Sequence, residues 1–108
     1  MSLAYQGLTK LLSAASTDEV SAGVDLTDDV QYVTVYIEWG AGTGAGVVQI
    51  EEAPHAEYAG TWAPVQELTW AQASVTDAVH LTGAYAALRV RITTGVTGGS
   101  INAYLLAR

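Results

Sequence analysis

Residues 30–39 read VQYVTVYIEW, ten residues without a glycine, proline or basic side chain. Strict alternation splits them into two faces, because successive side chains of a strand point to opposite sides. Val33, Val35, Ile37 and Trp39 share one face with Gln31; Tyr32, Thr34, Tyr36 and Glu38 share the other with Val30. The first set is the more apolar and is expected to face a core. A half-buried strand of this quality implies a sheet with one wet side, so the rest of the chain is read for its partners.

Outward from this segment the same period continues. GAGTGAG, residues 40–46, reads as a flexible hairpin connection, with a return strand over 47–52 that turns Val48 and Ile50 inward and Gln49 and Glu51 outward. A longer connection, 53–60, holds Pro54, His55 and Tyr58, and Pro64 marks an edge or bend. Strands are expected over 65–71, 75–82, 85–94 and 101–107. In the third of these Ala86, Leu88, Val90 and Ile92 face inward, and Tyr85, Arg89, Arg91 and Thr93 outward. Val, Ile and Thr make 28 of the 108 residues, the β-branched class that suits pleated surfaces.

The first thirty residues are mixed. Leu8, Leu11, Leu12 and Ala15 have helical spacing, while the flanking Ser and Thr favour extended structure over 10–15 and 20–26. With those two, about eight short strands recur at regular spacing. The expected fold is all-β: a two-sheet antiparallel sandwich of jelly-roll type, with an N-terminal arm over 1–16 and a single domain over 17–108.

Composition narrows function. The chain is 50% hydrophobic and 14% charged, which suits one folded domain rather than disorder. Its net charge of −7 disfavours a nucleic-acid or anionic-membrane partner. No apolar run approaches the ~20 residues of a helical span, and Thr9, Lys10 and Ser13 interrupt any signal-peptide core. There is no cysteine, hence no thiolate ligand or thiol nucleophile.

The polar residues form no catalytic constellation. GAGTGAG lacks the lysine and following helix of a phosphate loop. His55 and His80 stand 25 residues apart in a loop and a strand, too few for a zinc centre. Asp25, Asp28 and Asp29 do not match a calcium-loop spacing, and turn-forming aspartates account for them. Glu51 and Glu52 point to opposite faces, and Glu57 and Glu67 lie in a domain without room for a deep cleft, which disfavours glycosidase carboxylates. No G-x-S-x-G occurs. No enzyme, metal or cofactor is expected.

Contact chemistry is the alternative. Three Trp and six Tyr accompany no Phe, so every aromatic carries a polar handle, as interface aromatics do. Trp39 and Trp70 are assigned to packing, and Tyr58 and Trp62 to partner contact. Residues 1–77 hold all eleven acids and Lys10, a net −10; residues 78–108 hold Arg89, Arg91 and Arg108, a net +3. Arg89 and Arg91 share a strand face and either pair with an acidic strand of the same chain or meet an acidic patch on another subunit. Leu8, Leu11 and Leu12 complete the expected partner-binding set.

Three segments, VTVYIEWGAGTGAGVVQIEEA (33–53), GTWAPVQELTW (60–70) and VHLTGAYAALRVRITTGVTGGSINAYLL (79–106), together span most of the chain. Their order resembles small bacteriophage virion proteins of β-sandwich type. The resemblance implies a non-enzymatic virion component, assembled in the host cytoplasm: a capsid decoration (cement) protein or head-fibre base. It would contact the major capsid protein or other virion subunits as a homo-oligomer, a trimer by analogy with jelly-roll decoration proteins at symmetry axes. A tail or baseplate position is the nearest alternative. The last segment also resembles the closing strands of carbohydrate-binding jelly rolls, which implies a host-glycan adhesion module as a further alternative.

Overall fold

The computed structural model describes residues 8–27 and 30–108. Eight strands run in chain order: β1 (Leu8–Ala15), β2 (Val24–Asp25), β3 (Tyr32–Trp39), β4 (Ala45–Ala53), β5 (Ala63–Thr69), β6 (Val75–Thr82), β7 (Ala87–Thr97) and β8 (Ile101–Ala107). They form two four-stranded antiparallel sheets, ordered β1-β8-β3-β6 and β2-β7-β4-β5. The pairs β1·β8, β2·β7, β3·β6 and β4·β5 are all hydrogen-bonded. The chain is therefore one long antiparallel ribbon, folded at the β4–β5 connection and wrapped into a barrel-like sandwich. The wrap is closed by β3·β8 and β4·β7. This is the eight-stranded jelly roll.

The alternation read from residues 30–39 sets the inner face. Val33, Val35, Ile37 and Trp39 are buried, and they meet Ile101, Ala103 and Leu105 of β8 and Val79 and Leu81 of β6. Val48 and Ile50 of β4 and Leu88, Val90 and Ile92 of β7 supply the other half of the core. Asp77 lies on the inner side of edge strand β6, opposite Ile37, and accepts a 2.8 Å hydrogen bond from Trp39 Nε1. The indole donor of Trp39 is thus satisfied, as is that of Trp70, which packs against the same core and donates to the buried Thr43 Oγ1 at 3.1 Å.

Two expectations change. GAGTGAG is not a hairpin: β3 and β4 lie in different sheets, and the loop carries the chain across the sandwich. Among neighbours in sequence, only β4 and β5 are neighbours in a sheet. The glycines serve a close approach instead of flexibility. Gly42 (φ +81°) and Gly98 (φ +77°) bring the β3–β4 and β7–β8 loops together, and a Cβ on Gly98 would clash with the Gly42 carbonyl oxygen. Gly98→Ala is therefore expected to cost about 1–3 kcal/mol, from left-handed strain and overpacking together. Urea unfolding measures it, and a change below a few tenths of a kcal/mol would contradict this packing.

Residues 8–15, expected as part of an arm, form β1, which pairs with β8 and inserts Leu12 and Ala15 into the core. Extended structure was expected for this stretch from residue 10; the sheet pairing makes it part of the sandwich. Residues 1–7 lie outside the described residues. From Ser16 onward the chain crosses to the second sheet and tracks β7. Val96 and Ile92 donate to the carbonyls of Ser16 and Glu19, Ser21 exchanges bonds with Val90, and Leu26 donates to Ala86. The expected strand over 20–26 is thus a long edge segment, of which only Val24–Asp25 is regular strand.

Candidate interaction surfaces

Each sheet has an outer face, and the two differ in what covers them. On the β2-β7-β4-β5 sheet the nine-residue connection 54–62 folds back over the strands. It carries Trp62 onto Ala53 and Ala87, with Tyr58 against it, as a small second core. Trp62 Nε1 donates to the Tyr58 carbonyl at 2.9 Å. The Arg89 guanidinium lies 4.3 Å from the indole centroid, and its Nε donates to Glu51 Oε1 at 2.7 Å. Glu51 is only 3% exposed although its side chain points outward, because Arg89 and the returning loop cover it. The loop is tied down further by Asp25, which accepts the Ala56 N–H at 2.7 Å. Gly23 sits where a Cβ would meet the Ala56 backbone and the Trp62 ring at 2.8 Å.

The outer face of the β1-β8-β3-β6 sheet carries no such covering among the described residues. Register places its side chains in rows. Leu8, Leu106, Thr34 and His80 form one row, Lys10, Tyr104, Tyr36 and Ala78 the next, and Asn102, Glu38 and Thr76 a third. Tyr32 stands at the end of the face, 60% exposed. Lys10 Nζ lies 5.5 Å from the Tyr104 ring centroid, Thr34 Oγ1 and His80 Nδ1 are 3.0 Å apart, and Asn102 Nδ2 donates to Glu38 at 3.2 Å. Glu38 is the only acid in these rows. A shallow depression at the Tyr32 end is lined by Val30, Gln31, Tyr32, Thr82, Gly83 and Ala84. A second one, reached past Ala84, is bounded by Tyr58 and Thr61.

The residues expected at partner contacts therefore separate. Leu8 is exposed at the margin of the tyrosine face. Leu11 is partly buried against the core, and Leu12 is inside it, because the register slips of β1 around Leu12 turn it toward Ala103. Leu12 is thus not available as a contact. Neither is Trp62, at 5% exposure. Tyr58, Trp62 and Arg89 do come together, as intramolecular packing, and Arg89 takes the first of its two expected roles by pairing with Glu51. Arg91 is exposed on the same outer face, opposite Gln49. Asp28 and Asp29 lie outside the described residues. His55 is exposed and stacks edge-on to Tyr58 at 5.7 Å.

Sequence reasoning missed Tyr36 and Tyr104 as surface candidates. Their signal was present: Tyr36 alternates with core residues in 30–39, and Tyr104 alternates with Ala103 and Leu105. That the two stand side by side follows only from the β3·β8 register. Comparison of the chain with protein-family models, curated proteins and solved structures finds no match.

Proposed function

We propose that this jelly-roll domain is a non-enzymatic structural subunit that works by surface contact, and that it decorates a bacteriophage head. The observation that carries the reading is the four-stranded face with Tyr32, Tyr36, Tyr104, Leu8 and Leu106, left uncovered by the described residues and holding only Glu38 of the nine described acids. A face low in charge and rich in tyrosine matches the composition of interface cores. Asp18, Glu19, Asp25, Glu57 and Glu67 are exposed elsewhere, where they oppose contact with packaged DNA. The phage assignment itself rests on the sequence resemblance, since a fold alone does not specify a role. Bound only to the assembled shell, such a subunit stabilises the shell by mass action.

Sedimentation with purified capsids of the phage that carries the gene tests the reading. The protein is expected to pellet with heads and not with tails. Tyr36→Lys with Tyr104→Lys is expected to abolish pelleting while leaving the circular dichroism spectrum unchanged, since both rings lie outside the core. Pelleting of the double variant at wild-type occupancy, or pelleting with tails alone, would reject it.

A second reading, glycan binding, is favoured by one observation: two shallow depressions that share Ala84 are lined by Tyr32 and by Tyr58, and His55 stacks edge-on to Tyr58. Glycan-array binding lost in Tyr32→Ala or Tyr58→Ala, with no affinity for capsids, would put this reading first. Trp62→Ala is unsuitable as the probe, because it removes a core side chain.

A further inference from the structure

A jelly roll exposes four edge strands, and each unpaired edge is a template for another strand. Three of the four are blocked here. β1 has two register slips, carries Lys10 and puts Ala14 at φ +48°. β2 is two residues long. β5 carries Pro64, exposed Glu67 and a slip opposite Ile50/Glu51. β6 has no slip, proline or outward charge; its one charge is inward and hydrogen-bonded, which weakens it as a block to pairing. It runs eight residues, VTDAVHLT, in unbroken register with β3, without proline, lysine, arginine or bulge. Its single acid, Asp77, points inward and is engaged by Trp39. Its outward side chains are Thr76, Ala78, His80 and Thr82, and no described segment hydrogen-bonds its free side.

We propose that β6 is an interaction edge whose occupant is β6 of a second copy, joined antiparallel across a two-fold axis into a continuous eight-stranded sheet. The edge is self-complementary. Residues opposite one another in an antiparallel pair must lie on the same face, so the axis passes at a residue, and the registers that pair the most of Val75–Thr82 put it at Ala78 or at Val79. With the axis at Ala78, Ala78 meets its own copy, Thr76 meets His80, and Val75 meets Leu81. With the axis at Val79, Thr76 meets Thr82, Ala78 meets His80, and Val79 meets itself. Neither register opposes like carboxylates, although the chain carries net −7. Isologous pairing of this kind closes at two copies. It leaves one copy's tyrosine face continuous with the other's and does not depend on the capsid reading. It replaces the trimer expected by analogy with a dimer.

Light scattering on the purified full chain, coupled to size exclusion, tests the proposal. The wild type is expected at twice the 11.3 kDa chain mass. Ala78→Lys places an ammonium group opposite its own copy or opposite His80, and is expected to yield the monomer with an unchanged circular dichroism spectrum. Thr76→Lys, which faces Glu38 and so keeps its own sheet, is expected to do the same. Lys10→Glu, at the opposite edge, keeps the dimer. Hydrogen exchange adds a direct readout: alternate β6 amides are slow in the wild type and fast in Ala78→Lys. A wild-type monomer or trimer, a dimer that survives both β6 lysines, or a dimer lost in Lys10→Glu would each overturn the proposal.

Discussion

Trp39→Ala is expected to lower the unfolding free energy by about 4–5 kcal/mol, a large part of the ~5–15 kcal/mol that holds a domain together. The indole is 2% exposed at the end of β3, between Val75 of β6 and Ile101 of β8. Its removal leaves a cavity that a sandwich held by six ladders cannot collapse. It also strips Asp77 of its 2.8 Å donor on the inner side of the sheet. For about 100 residues, each kcal/mol lowers Tm by roughly 4–8 °C, so the melting curve should shift by about 20 °C or more. Trp39→Phe separates the contributions: it keeps most of the volume and loses the donor, at about 1–2 kcal/mol. A loss below about 1 kcal/mol in the alanine variant would contradict the central position given to Trp39.

Arg89→Ala is expected to cost about 2–3 kcal/mol, because it takes away the partner of a Glu51 carboxylate that the loop 54–62 still covers in part. The same change removes the cation stacked on Trp62, so the loop 54–62 loses its outer support. Removing both partners should be milder than removing one. Arg89→Met with Glu51→Leu replaces the pair by side chains of similar bulk and is expected to recover most of the loss. Denaturant unfolding of the four members of that cycle measures the coupling. The coupling should persist at high salt, since burial shields the pair from screening. A purely additive cycle would show that Arg89 and Glu51 act independently.

The strands were legible because alternation is a local property. β6 and β8 keep the expected bounds, and the inward residues of β3, β4 and β7 are those the period selects, apart from Ala86, which is exposed. Pairing was less legible. A glycine-rich connection between two good strands looks the same whether the strands are neighbours in one sheet or face each other across a core. GAGTGAG therefore read as a hairpin, although the approach of Gly42 to Gly98 depends on a loop 56 residues later in the chain.

The surface was legible by half. Alternation marks Tyr36 and Tyr104 as outward, but only register puts them side by side. Glu51 is outward by the same rule and yet buried, because the loop after β4 returns over it with Trp62 and Arg89. Leu12 fits an exposed leucine cluster until the slips in β1 turn it inward.

By itself, then, the sequence determined which residues lie in strands, which faces are apolar, and that the charge is unevenly divided along the chain. These follow from a two-residue period and from composition, which need no knowledge of distant segments. The tertiary structure decided strand order, which outer face is covered, and which edge is left open. Those are outcomes of long-range pairing, in which residues tens of positions apart compete for the same backbone hydrogen bonds and the same apolar surface.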